Sequence, residues 1–129
     1  MAKILKFVRN FVYAVAGFGL LIIAIGTAQA AGALAVGTCG AYGYGFDFRS
    51  EGDARLAAMK KCTGSQCRVV GIVHKGCAAM AVDAKNPCGS FGWAINSHLG
   101  QAENASMRRC FEYGGRDCVV RAWACDEKG

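Results

Sequence analysis

SEGDARLAAMKKCTGSQC, residues 50–67, has a second copy further along the chain, SHLGQAENASMRRCFEYGGRDC, residues 97–118. In each copy a stretch rich in alanine and other small residues runs to a cysteine. After a short loop, another cysteine opens a Val-Val segment. This pattern predicts a helix that ends at the first cysteine and a strand that begins at the second. We therefore expect a duplicated helix-strand unit to be the basis of the fold.

The repeat extends upstream of both helices. GALAV, residues 32–36, matches AAMAV, residues 78–82, and each is followed by a Cys-Gly pair and an alternation of aromatic residues with small ones. Each unit therefore predicts strand, strand, helix, strand. We expect an α+β, small disulfide-rich domain of two such repeats with pseudo-two-fold symmetry. Repeat one spans about 31–76 and repeat two about 77–126.

The alternation in residues 42–48 predicts a strand with two unlike faces. A period of two places Tyr42, Tyr44, Phe46 and Phe48 on one face and leaves glycine on most of the other. A face without side chains suits the close approach of another element. The alanine-rich helices offer small side chains for that contact. We expect each helix to pack unusually close to its sheet.

The first thirty residues have the three parts of a secretory signal peptide. Basic residues precede an apolar run from about residue 11 to 25, and Ala28-Gln29-Ala30 forms a small-residue cleavage site. The prediction is a signal peptide at 1–30, a single domain at 31–129, and a secreted or periplasmic location. An uncleaved membrane anchor is the alternative interpretation of the apolar run. After cleavage we expect no stable membrane insertion.

All eight cysteines lie after residue 30, and an even number in an oxidising compartment indicates four disulfides. Duplication implies that equivalent pairs behave alike, which favours local bridges at the helix ends. The remaining cysteines then pair over long range. The expected bridges are Cys62 with Cys67, Cys110 with Cys118, Cys39 with Cys88 and Cys77 with Cys125.

Composition argues against several classes of ligand. The chain has a formal charge of +6, but cleavage removes three basic residues and leaves 12 against 9 acidic, a net charge of +3. So mild a charge, on an exported chain, argues against nucleic acid as a partner. Neither the cysteine spacing nor the two histidines form a metal-binding pattern. We predict no metal and no cofactor.

Aromatic side chains are the candidate ligand-binding residues. Tyrosine and tryptophan can stack on sugar rings or anchor a partner protein, although in a small domain they also fill the core. The candidates are Tyr44, Trp93, Tyr42, Phe91 and Trp123. A catalytic set is not evident. His74 and His98 are the two possible bases, with Asp47, Asp83 and Asp117 as residues that could orient them.

Five segments together resemble a known bacterial family. They are GALAVG, CGAYGYGFDFRSEGDARLAAMKKC, CRVVGIVHKGCAAMAVD, CGSFGWAINSHLGQAENASMRRC and CVVRAWAC. The motifs of both repeats occur in the same order and with their cysteines. In this arrangement the chain resembles the family called domain of unknown function 4189 (DUF4189). The resemblance implies a small exported bacterial protein, and it assigns neither an activity nor site residues.

The sequence thus predicts an exported, disulfide-stabilised binding module. Its expected partner is an envelope polysaccharide or an exported protein, with an envelope protein or an inhibitor of a cell-wall hydrolase as the roles considered. The alternative is a cell-wall-directed hydrolase using His74 or His98 with a nearby aspartate. The absence of a recognisable catalytic set favours the binding module over the enzyme.

Overall fold

Strand, strand, helix, strand is the order of elements in both halves of the chain. The structure, a computed structural model, describes residues 30–126, so all but the last residue of the predicted signal peptide lies outside the described residues. The first half contains β1 (Ala31–Val36), β2 (Tyr42–Phe48), α1 (Glu51–Lys61) and β3 (Arg68–Val73). The second contains β4 (Cys77–Asp83), β5 (Phe91–Asn96), α2 (Leu99–Glu112) and β6 (Cys118–Cys125). The α+β fold class is confirmed.

Each half forms its own three-stranded antiparallel sheet. The strand order is β2-β1-β3 in the first sheet and β5-β4-β6 in the second, so the first strand of each half is central. All residues of β1 and β4 are buried. The equal strand order is consistent with the predicted pseudo-two-fold arrangement. No described helix has the length and apolar character needed to cross a membrane.

Alternate residues of the two central strands separate the core into layers. On β1, Ala33 and Ala35 pack against Ala58 of α1. The intervening residues Leu34 and Val36 belong to a cluster with Val73, Ala78, Met80 and Val82, which fills the space between the two sheets. On the far side, Ala79 of β4 packs against Ala102 of α2. The order of layers is therefore α1, first sheet, second sheet, α2.

The helices approach their sheets at glycine. A methyl group added to Gly43 of β2 would fall on the backbone of Ala58 in α1 and of Cys62, the residue that caps its C-terminal end. One added to Gly92 of β5 would fall on the backbone of Ser106 and Cys110 in α2. The expectation of close helix-sheet packing, small residues against glycine, is confirmed.

The position of Phe48 differs from the prediction. Asp47 has a positive φ of 60°, and the β1–β2 pairing shifts register between Ala31↔Phe48 and Ala33↔Gly45. This is a β-bulge with one extra residue on β2, and it turns the side chain that follows to the other face. Phe48 therefore packs against the α1 cluster rather than on the face of Tyr42.

Of the two α-helices within residues 30–126, α1 alone has a side-chain N-cap. The Ser50 hydroxyl accepts a hydrogen bond from the backbone N–H of Asp53 at 3.1 Å and donates one to its carboxylate at 2.8 Å. At the second helix the N-cap residue is His98, whose side chain makes no capping bond. The nearby Asn96 does not cap this helix either, because its Oδ1 accepts the backbone N–H of Ser97, at 2.8 Å.

Four disulfides staple the fold: Cys39–Cys88, Cys62–Cys67, Cys77–Cys125 and Cys110–Cys118. These are the pairs that the repeat argument favoured. The two local bridges tie the end of each helix to the strand that follows. Cys77 and Cys125 lie opposite each other in the β4–β6 ladder. Cys39–Cys88 joins the two halves, and none of the cysteines in residues 30–126 is free.

Candidate functional site: two basic-aromatic grooves

A groove opens on the first half beside β2, and we call it the tyrosine groove. Its volume is about 410 Å³. It is lined by Gly40, Ala41, Tyr42, Gly43, Tyr44, Lys61, Thr63 and Arg121. The rings of Tyr42 and Tyr44 are nearly parallel, at 7°, with centroids 6.3 Å apart. Lys61 Nζ lies 5.0 Å from the centroid of the Tyr44 ring, within the range of a cation–π interaction.

A second groove, the tryptophan groove, lies beside β5 and has a volume of about 290 Å³. It is lined by Arg68, Gly89, Ser90, Phe91, Trp93, Arg109 and Tyr113. The Arg109 guanidinium lies 5.4 Å from the centroid of the Trp93 ring. Arg109 Nη1 also donates a hydrogen bond to the Trp93 carbonyl oxygen at 2.6 Å. The guanidinium is thus held over the ring while its other N–H donors stay available.

The two grooves use equivalent positions of the two halves. Each has a glycine that follows a cysteine, two aromatic residues of the second strand, and a cation from the last turns of the helix. The equivalent pairs are Gly40 and Gly89, Tyr42 and Phe91, Tyr44 and Trp93, and Lys61 and Arg109. The fold has therefore built the same combination of cation and aromatic ring twice.

Each groove also receives an arginine from the other half. Arg121 of β6 lines the tyrosine groove, and Arg68 of β3 lines the tryptophan groove. This exchange follows from the stacking of the sheets. β2 contacts β6, and a methyl group at Gly71 of β3 would lie 3.6 Å from the Trp93 ring of β5. Among the described residues that line the two grooves, four are basic and none is acidic.

The five predicted aromatic residues do not form one platform. Tyr42, Phe91 and Trp93 pack on one side against the cluster between the sheets, and together with Tyr44 they line the grooves. The sequence offered two roles for these aromatic residues, filling the core or binding a ligand at the surface. Tyr42, Phe91 and Trp93 contact the core and also line the grooves. Trp123 is 55% exposed and lines a separate narrow cleft with Tyr44 and Phe46.

Four basic residues, Lys61, Arg68, Arg109 and Arg121, line the grooves but were not among the predicted ligand-binding residues. Lys61 and Arg109 also lie in the last turn of their helices, where a cation complements the helix dipole. The signal for the first groove contact was the internal repeat, which relates Lys61 to Arg109 at an offset of 48 residues and Tyr44 to Trp93 at an offset of 49. Arg68 and Arg121 are not equivalent residues of the two halves. Arg68 pairs with Val36 of β1, and Val82, the residue of β4 equivalent to Val36, pairs with Val119.

A wider depression lies on the outer side of α1. It is lined by Asp47, Phe48, Arg49, Asp53, Leu56, Ala57 and Lys60, with a volume of about 710 Å³. Two acidic and two basic residues line it, so it favours neither sign of charge. It is a weaker candidate for a charged ligand than the two grooves.

Among the described residues, neither histidine is hydrogen-bonded to an aspartate proposed to orient it. His74 Nε2 is 2.9 Å from Glu51 Oε1, whereas Asp117 pairs with Lys85 at 3.4 Å. Asp83 accepts the backbone N–H groups of Lys85, Asn86 and Arg116, and the Arg116 contact is the main cause that lowers the pKa of this carboxyl. A hydrolase with His74 or His98 as base stays a prediction. Residues 30–126 hold no cluster of three or more potential metal ligands.

His74 should titrate above its ordinary range. In the uncleaved chain its Nε2 faces the Glu51 carboxylate and its Nδ1 faces the Ala30 carbonyl oxygen at 3.3 Å, and only the protonated ring can donate to both. The predicted cleavage after Ala30 would remove the second contact and keep the first. The Glu51 hydrogen bond is the largest cause that raises the pKa of His74. Glu51→Gln should lower that pKa, measured by the NMR titration of the imidazole proton signals, while Glu112→Gln should leave it unchanged.

The contact between His74 and Glu51 should stabilise the folded protein at low pH rather than at high pH. The folded state binds this proton more tightly, so the contact stabilises the fold below the unfolded pKa of His74 and is lost as pH rises through the raised folded value. Both side chains are about half exposed, at 45% and 52%, so solvent limits the effect. An unchanged His74 pKa in Glu51→Gln would show that the contact is absent in solution.

The architecture and the grooves define a class: a small α+β domain of two like halves, stapled by four disulfides, with a basic-aromatic groove on each half. The chain belongs to the family described as Domain of unknown function (DUF4189), whose profile matches residues 31–125. A search of curated proteins gives no match.

One solved structure shows a related fold. It is the NMR structure of Rv1813c from Mycobacterium tuberculosis, with a TM-score of 0.53 and 18% sequence identity. The match covers 74% of this chain and 75% of the other. At this identity the likeness supports the architecture and carries no information about ligands.

Proposed function

We propose that this domain is an exported module that binds acidic polysaccharide of the cell envelope in its two grooves. Four disulfides are typical of proteins that mature in an oxidising compartment, which supports export. The observation that carries the proposal is the repeated placement of a cation over an aromatic ring that lines a groove, in grooves whose described lining lacks acidic residues.

A carboxylate-bearing sugar suits both components of a groove. Its ring presents C–H groups that pack on an aromatic face, and its carboxylate accepts charge-assisted hydrogen bonds from lysine or arginine. The guanidinium of Arg109 is fixed by its bond to the Trp93 carbonyl, so little side-chain entropy is lost when a carboxylate binds. A neutral sugar would use only the ring, and an inorganic anion only the cation.

The test is calorimetric titration with an acidic polysaccharide, polygalacturonate, and a neutral one, dextran. We expect polygalacturonate to bind and dextran not to bind. Arg109→Gln should weaken binding about tenfold, equivalent to about 1.4 kcal/mol. Arg108→Gln removes the same charge from the adjacent position, which does not line the groove, and should have little effect.

Three results would overturn the proposal. If Arg108→Gln and Arg109→Gln weaken binding equally, the attraction is general and the groove is not the site. Absence of binding to polygalacturonate would exclude a carboxylated polymer of this kind as the ligand. Tighter binding of single-stranded oligo-dT, lost in Arg109→Gln, would identify nucleic acid as the ligand instead, since stacking on aromatic rings beside cations also serves that class.

A further inference from the structure

The two grooves end close to each other at the Cys39–Cys88 disulfide. Gly40 lines the tyrosine groove and directly follows Cys39, and Gly89 lines the tryptophan groove and directly follows Cys88. The Cα atoms of the two cysteines are 3.7 Å apart. Because consecutive Cα atoms are 3.8 Å apart, the Cα atoms of Gly40 and Gly89 are at most about 11 Å apart. The covalent bridge fixes this separation.

The surface near the bridge continues the grooves. A depression of about 400 Å³ extends from the tryptophan groove, sharing Arg68 and Phe91 with it, to Thr38, the residue before Cys39. The exposed hydroxyl of Thr38 is held by Ser65 at 2.7 Å. On the other side of the bridge, a methyl group added to Gly40 would lie 3.7 Å from Arg121 Nε. Cations therefore approach the bridge from both sides.

We propose that one acidic polysaccharide chain occupies both grooves at once and crosses the surface beside the Cys39–Cys88 disulfide. This inference rests on the proposed function of each groove. Because the grooves are built from equivalent residues, each takes the same kind of unit, and a polymer of one repeating acidic sugar supplies that unit to both. Once one groove is filled, the tethered chain is present at the other at a high effective concentration.

The experiment uses oligogalacturonates of increasing length, from the monomer upward, titrated into the full chain. Short oligomers should fill the grooves separately, two per protein. At the length that spans both grooves, the stoichiometry should become one per protein and the affinity should rise by about a hundredfold or more. That joint change in affinity and stoichiometry is the signature of a chain held at two sites.

Variants of one groove separate the two proposals. Lys61→Gln alters the tyrosine groove and Arg109→Gln the tryptophan groove, and either should reduce the gain with length by about tenfold while leaving short oligomers bound at the intact groove. Lys60→Gln and Arg108→Gln carry the same charge change outside the grooves and should keep the gain. Thermal unfolding of each variant would check that it is folded.

Three outcomes contradict the inference in different ways. Two oligomers per protein at every length, with no gain in affinity, would overturn the shared chain and leave the groove function intact. No binding of oligomers of any length would overturn both proposals. If Lys61→Gln leaves the gain in affinity with oligomer length undiminished, the second contact lies outside the tyrosine groove, and the inference is also overturned.

Discussion

Gly92→Ala is expected to destabilise the protein by about 3 kcal/mol, at the upper end of typical overpacking effects. The added methyl group would lie 2.6 Å from the backbone nitrogen of Cys110 and would fall on the carbonyl oxygen of Ser106. Backbone atoms of a helix cannot rotate away as a flexible side chain can. Helix α2 would have to move outward, which loosens the contact of Ala81 with Cys110.

The measurement is the free energy of unfolding in guanidinium chloride, and Gly100→Ala is the matched control. Gly100 lies in the first turn of the same helix, and an added methyl group there meets no atom within 4 Å. Alanine should stabilise this site by about 0.5 kcal/mol, because it reduces the conformational entropy of the unfolded chain. A Gly92→Ala variant as stable as wild type would show that the helix and sheet are further apart than the structure places them.

The internal repeat is why so much of the fold could be predicted from one sequence. Any single stretch of alanine or of alternating glycine is ambiguous, but two copies in the same order constrain each other. The glycine face of β2 predicted a helix at short distance, and Gly43 lies against Ala58 and Cys62. The same argument reduced the many possible cysteine pairings to local and long-range classes.

The unpredicted features depend on information outside any one element. Phe48 changed faces because a bulge at Asp47 breaks a period of two. Aspartate adopts a positive φ more readily than most residues, but the unbroken alternation of residues 42–48 did not indicate a bulge there. Arg68 and Arg121 reach the grooves because each sheet's edge strand lies against the partner sheet, and sheet stacking is not encoded by the spacing within a strand. The sequence therefore indicated the aromatic residues of the binding surface, but only the folded structure shows that basic residues from both halves lie beside them.

Loss of the Cys39–Cys88 bridge should cost about 4 kcal/mol in the free energy of unfolding, since it closes a loop of 49 residues. Both cysteines are exposed, so Cys39→Ala with Cys88→Ala leaves no cavity and mainly releases the unfolded chain. The comparison is Cys62→Ala with Cys67→Ala, which opens a loop of 5 residues and should cost about 2 kcal/mol.

The free energy of unfolding of both double variants is measured in guanidinium chloride without reductant. The ratio of the two losses in this free energy tests the mechanism. If stabilisation comes from loop closure, the long-range bridge must contribute about twice as much as the local one. A larger loss at Cys62 and Cys67 would contradict this, and it would mean that the local bridge acts through the folded state by holding the end of α1 on β3. In that case the buried Cys62, which belongs to the α1 cluster, would be the residue responsible.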